Sequence, residues 1–160
     1  GEDDDPMLTI RESGWSGKKF IRVILDTRNR LSGKMKVFKM GEEWPGYVFS
    51  RSGTEGSGKK CDNRLFVSEG PGGVNLSEVL SILGKRGVAS VLVEGGGALI
   101  GSFMSQRLCD ELVLFTANKF LGGKKSVELL ADGVPLAQPV LLKEKKIIKL
   151  DEGYIIRGMV

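Results

Sequence analysis

The sequence predicts an α/β fold: a mainly parallel central sheet flanked by helices, with an antiparallel hairpin at the C-terminus. Three observations carry this. Short β-branched apolar runs recur at Ile21–Asp26, Gly46–Ser50, Arg64–Ser68 and Val88–Val93, the mark of strands covered on both faces. An amphipathic helical pattern stands directly before the last of them, which makes a right-handed crossover between parallel strands. The tail departs from this alternation, since Lys145–Leu150 and Tyr154–Val160 are separated only by a turn at Asp151-Glu152-Gly153.

The elements follow in order. Gly1–Asp5 is an acidic leader ending at Pro6, followed by an extended run, Met7–Arg11, and a Gly-Trp-Ser-Gly turn at Gly14–Gly17. Between Ser50 and Asn63 the chain is poor in apolar residues and rich in Gly and Ser, which predicts a surface loop. Asn75–Arg86 reads as a helix, with Asn75 as cap and Glu78 three residues on as the partner of a capping box. Leu76, Val79, Leu80 and Leu83 form one apolar stripe, and Gly87 supplies a left-handed stop. A second helix is expected over Ala98–Arg107, and Asp110–Ala117 is expected to be the strand that closes a second crossover. A length of 160 residues suits one domain.

Composition excludes several chemistries. Histidine is absent, so a Ser-His-Asp triad, a histidine base and a histidine-ligated zinc site are impossible. Cys61 and Cys109 are too far apart for a CxxC site and read as reduced thiols. The net charge of +4 and the pI near 9.1 suit a phosphate-binding protein. The lysine clusters at Lys59–Lys60, Lys124–Lys125 and Lys143 to Lys146 have no interleaved aromatics, so they read as solvated surface rather than a nucleic-acid face. No apolar run reaches the length of a membrane span, and the acidic start is not a secretory signal. A cytoplasmic location is the default expectation.

The residues that point to function are Glu94-Gly95-Gly96-Gly97, set between an apolar run and a helix start. Glycines there let the backbone turn tightly and approach a ligand, and the unpaired amides of the next helical turn favour an anion. The spacing is not that of the GxGxxG fingerprint. The residues alone fit either a phosphate-holding turn or a tight turn packing helix on strand. Glu94 is either a ligand-contacting carboxylate or a solvated strand end, and Ser102 either offers its hydroxyl or satisfies a neighbour.

The segments SVLVEGGGALIGSFM and LCDELVLFTANKFLGG, with Asp4-Asp5-Pro6-Met7-Leu8-Thr9-Ile10-Arg11 and Arg22-Val23-Ile24-Leu25-Asp26-Thr27-Arg28, resemble the reductase domain of riboflavin biosynthesis, a relative of dihydrofolate reductase. The four matches are in order and span nearly the whole chain. The resemblance implies a dihydrofolate-reductase-like fold lacking its N-terminal part, so that 1–160 is the last two thirds of one reductase domain. It implies NADPH-dependent reduction of the ribosyl group of 5-amino-6-(5-phosphoribosylamino)uracil, or of the related diaminopyrimidine. NADPH is implied beside Asp4, Thr27, Gly95, Gly96, Gly97, Ala98, Leu99, Ile100, Gly101 and Ser102. Substrate contacts are implied at Leu8, Arg11 and Glu94. Arg11 suits a 5′-phosphate because guanidinium matches phosphate bidentately, although by itself it reads equally as a strand-end surface arginine. Asp110-Glu111 and Leu121-Gly122-Gly123 read as structural. A homodimer and a zinc deaminase fused in the full-length protein are also implied. No residue is assigned as general acid, and no arginine for a 2′-phosphate is identifiable by spacing. A non-catalytic nucleotide-binding fragment of the same fold is the alternative reading.

Overall fold

The computed structural model describes residues 20–31, 36, 46–55, 63–119, 122, 129–130, 136 and 138–160. The expected leader, the extended run Met7–Arg11 and the turn Gly14–Gly17 lie outside them, as does Cys61. The chain divides into two compact units, Gly1–Val88 and Ala89–Val160.

The first unit is built on a parallel three-stranded sheet in the order β1-β2-β3, formed by β1 (Arg22–Leu25), β2 (Gly46–Arg51) and β3 (Arg64–Val67). Three of the predicted apolar runs thus become adjacent strands. Val48 and Phe49 of β2 and Val67 of β3 are completely or almost completely buried, as expected of parallel strands covered on both faces. A two-residue hairpin follows, β4 (Glu69–Gly70) with β5 (Gly73–Val74), turning through Pro71 and Gly72. Gly72 has φ +79°, the value that the third residue of a type II turn requires after proline.

Helix α1 (Leu76–Lys85) buries Leu76, Val79 and Leu83, three of the four predicted stripe positions. Its Asn75 cap accepts from the Glu78 backbone N–H at 3.1 Å. The other half of the expected capping box does not form. The Asn75 N–H donates instead to the Ser68 carbonyl, at 2.9 Å, and Glu78 accepts from the N–H and hydroxyl of Ser68. These two hydrogen bonds, the hydroxyl's the stronger, hold the Glu78 carboxyl below its ordinary range. Helix and strand end are thereby tied together. Gly87 follows at φ +83°, the left-handed stop expected there.

The second unit contains α2 (Gly97–Ser105) and an antiparallel sheet in the order β6-β8-β7, from β6 (Glu111–Ala117), β7 (Lys143–Leu150) and β8 (Gly153–Met159). The C-terminal hairpin forms as predicted, and its antiparallel sheet is wider than expected because β6 joins it along the full length of β8. The second crossover therefore does not form as predicted: β6 is paired antiparallel, and among the described residues it has no parallel partner. The predicted strand over Val88–Val93 is not observed either. Residues 89–95 make no backbone hydrogen bond among the described residues, and Leu92 is 81% exposed. An apolar β-branched run has the potential to be a strand, but it becomes one only where a neighbour receives its N–H and C=O groups.

Candidate functional site

Of the residues implied for a site, Asp4, Leu8 and Arg11 lie outside the described residues. Thr27 belongs to the first unit, and Glu94 to Ser102 belong to the second.

Thr27 sits where β1 ends, at the carboxyl edge of the parallel sheet, the edge at which open α/β sheets bind ligands. A cleft of about 840 Å³ opens there, lined among others by Asp26, Thr27, Arg28, Arg30, Arg51 and Glu69. Its floor is set by Asp26. The carboxylate accepts from the N–H groups of Arg30, at 2.9 Å, and Leu31, at 2.8 Å, which closes the chain into a turn. The Arg64 guanidinium, from β3, donates to the same carboxylate at 2.8 Å and also to the Ser50 hydroxyl and the Leu31 carbonyl. Burial by itself pushes the Asp26 carboxyl up. The two amides and the Arg64 guanidinium outweigh it and hold the group below the usual carboxylate range. Asn29, at φ +52°, donates from Nδ2 to the Thr54 carbonyl and fastens the turn to the loop after β2.

The opposite wall is the β4–β5 hairpin, and the approach is close. A Cβ on Gly73, which has φ +149°, would stand 2.5 Å from the Thr27 hydroxyl oxygen. Only glycine keeps that hydroxyl and the hairpin backbone side by side.

The charges of the cleft are unequally matched. Asp26 is consumed by Arg64, and Glu69 is paired with Arg51 at 2.6 Å. Arg28 and Arg30 are exposed, and among the described residues no acidic partner is found for either. The cleft therefore presents two uncommitted guanidiniums beside a threonine hydroxyl, a donor set suited to a phosphate. Spacing did not single out these arginines. The signal was the run Asp26-Thr27-Arg28-Asn29-Arg30 at a strand end, which gains meaning only once the strand is seen to stop at Leu25.

In the second unit, Glu94, Gly95 and Gly96 are exposed, and Gly96 is the N-cap of α2 with no side chain capping it. The first turn of α2 carries no acidic residue, so its free amides keep their attraction for an anion. Gly95 closes over Leu99, whose Cδ2 would lie 2.9 Å from an added Cβ. Ala98 is exposed, Leu99 and Ile100 are half-buried, and Gly97, Gly101 and Ser102 are buried. The Ser102 hydroxyl donates to the Ala98 carbonyl at 2.8 Å. Glu111, at the start of β6, is bound on both carboxylate oxygens by Arg157 of β8, a structural ion pair that holds its carboxyl low. Among the described residues, no group of three or more Cys, Asp or Glu could hold a metal ion, and no helix is long and apolar enough to cross a membrane.

Residues 2–156 match the family model of the RibD C-terminal domain. The chain belongs to this family. Across 153 residues it is 32% identical to the riboflavin biosynthesis protein RibD of Chlamydia pneumoniae, covering 91% of this chain and 40% of that protein. The 2,5-diamino-6-ribosylamino-4(3H)-pyrimidinone 5′-phosphate reductase of Archaeoglobus fulgidus is 29% identical, over 96% of this chain and 72% of that one. Among solved structures, the deaminase/5-amino-6-(5-phosphoribosylamino)uracil reductase of Thermotoga maritima superposes with a TM-score of 0.68 at 26% identity, over 99% of this chain and 42% of that one. The RibD-type fold is thus dihydrofolate-reductase-like α/β, as the sequence predicts, and the chain spans less than half of two of these three relatives.

Proposed function

We propose that this RibD-family chain is an NADPH-dependent reductase that converts the ribosyl group of a phosphoribosylamino-pyrimidine to the ribityl group in riboflavin biosynthesis. The observation that carries the reading is the cleft at the carboxyl edge of the parallel sheet, where Thr27, Arg28 and Arg30 converge with both nearby carboxylates already paired. Thr27 and the two guanidiniums would hold the cofactor's 2′-phosphate, which is the only difference between NADPH and NADH. The family resemblance also assigns Gly95 to Ser102 to the cofactor and sets Asp4 beside it, and within the second unit the free amides of Gly97 and Ala98 suit a phosphate. When bound, NADPH would supply the hydride for C1′ of the substrate's opened sugar, with the balancing proton taken from solvent. The family resemblance gives substrate contacts to Glu94, Leu8 and Arg11, the last suited to the 5′-phosphate. Catalysis then rests largely on holding donor and acceptor carbons together.

The names of the relatives allow either the uracil or the diaminopyrimidine as substrate. A homodimer goes with this reading, supported by the apolar side chains Val113, Phe115, Ile148 and Met159 that the antiparallel sheet leaves exposed. A cytoplasmic location, one reductase domain over 1–160 and a deaminase elsewhere in the full-length protein complete it.

Calorimetric titration tests the cofactor assignment. NADPH is expected to bind more tightly than NADH, and the difference is expected to disappear in Arg28→Ala/Arg30→Ala. Equal affinity for the two nucleotides in the unaltered chain overturns the phosphate reading of the cleft. Failure to bind either nucleotide favours the non-catalytic reading.

A further inference from the structure

Among the described residues, Glu69 is the one carboxylate lining the cleft that is not sequestered. Asp26 is buried, with its side chain 5% exposed and three hydrogen bonds fixing its carboxylate, from Arg30, Leu31 and Arg64. Glu69 stands at the start of β4 with its side chain 68% exposed and, among the described residues, is held only by Arg51 from the end of β2, itself 38% exposed. Both residues line the cleft. An ion pair this exposed is weak, because solvent screens it and ordering two long side chains costs entropy. It is therefore a contact that a ligand of higher charge can displace.

We propose that Glu69 is a specificity-determining residue that tempers the cleft's affinity for phosphate by occupying Arg51. A bound phosphate dianion would meet Arg28 and Arg30 without competition and would contest Arg51 with the Glu69 carboxylate. Ligands lacking that phosphate would not enter this competition. Glu69 thus narrows the preference between phosphorylated and unphosphorylated nucleotide, and it keeps the phosphorylated one exchangeable. The inference rests on the cleft being the 2′-phosphate site proposed above.

The test uses the full chain and two probes, ADP-ribose and its 2′-phosphate, titrated by calorimetry into the unaltered protein, E69Q, R51Q and the double variant. E69Q is expected to bind the 2′-phosphorylated probe about two- to fivefold more tightly, the range that release of one exposed ion pair allows. Its affinity for ADP-ribose is expected to stay the same. The gain should vanish in the R51Q background and shrink at high ionic strength. E69Q affecting both probes alike, weakening the phosphorylated one, or keeping its gain without Arg51 overturns the proposal. If the unaltered protein distinguishes the probes and E69Q changes nothing, Glu69 has no such role and the phosphate site stands. If the unaltered protein does not distinguish them, the phosphate site itself is wrong and the role of Glu69 falls with it.

Discussion

Arg64 reaches from β3 to the Asp26 carboxylate at 2.8 Å, and both side chains are only 5% exposed. This pair decides where the cleft's donors stand, because Asp26 also binds the amides of Arg30 and Leu31. Removing one partner leaves an uncompensated buried charge. Arg64→Ala is expected to cost about 3–5 kcal/mol, read as a lower urea midpoint with an unchanged slope. A loss below about 1 kcal/mol would show that the pair behaves as a surface contact.

The same carboxylate makes stability depend on pH. Asp26 has a folded pKa below its unfolded one, so the unfolded chain binds more protons between the two values and stability rises with pH there. The contribution is complete above the ordinary aspartate range and is lost as pH falls through the folded value. Glu78 and Glu111 act in the same direction. Thermal melts should therefore show falling stability below about pH 4, and Asp26→Asn should flatten that fall.

Gly73 is expected to tolerate no side chain. Gly73→Ala forces a Cβ to 2.5 Å from the Thr27 hydroxyl at a φ of +149°, so either the hairpin or Thr27 must move. The expected result is a loss of about 1–3 kcal/mol in stability together with weakened binding of the phosphorylated probe. Gly84→Ala in α1, where nothing lies within 4 Å of the added carbon, serves as the control and should stabilise.

Leu83 is 1% exposed in the core beneath α1. Leu83→Ala should cost about 2–5 kcal/mol, whereas Asn75→Ala, which removes one cap acceptor, should cost about 0.5–2 kcal/mol. Denaturant titration of both variants checks the ranking.

Helix α1 was legible because all its signals are local: a cap, a stripe and a stop glycine within thirteen residues. Three strands of the parallel sheet were legible for the same reason. Pairing is not local, and that is where the reading departs from the structure. Val88–Val93 has the composition of a strand without a neighbour, and β6 takes β8 as its antiparallel partner, forty-odd residues away. The Pro71-Gly72-Gly73 turn was a readable hairpin signal that the sequence reading passed over. At the site, the glycine turn was legible in the residues as a phosphate-holding or packing turn, and Thr27 only through the family resemblance. Arg28, Arg30, Arg51 and Glu69 come together because three parallel strands, β1, β2 and β3, end at the same edge, which no spacing along the chain expresses. The roles that the resemblance implies for Asp4, Leu8 and Arg11 fall outside the described residues.

The most direct measurement is turnover by this chain with each phosphoribosylamino-pyrimidine, the uracil and the diaminopyrimidine, following loss of reduced nicotinamide and identifying the product by mass. The account predicts that NADPH is consumed one for one with a ribityl product from one of the two substrates, with NADH far slower. NADPH binding without consumption on either substrate, under conditions where a related reductase turns over, would contradict it.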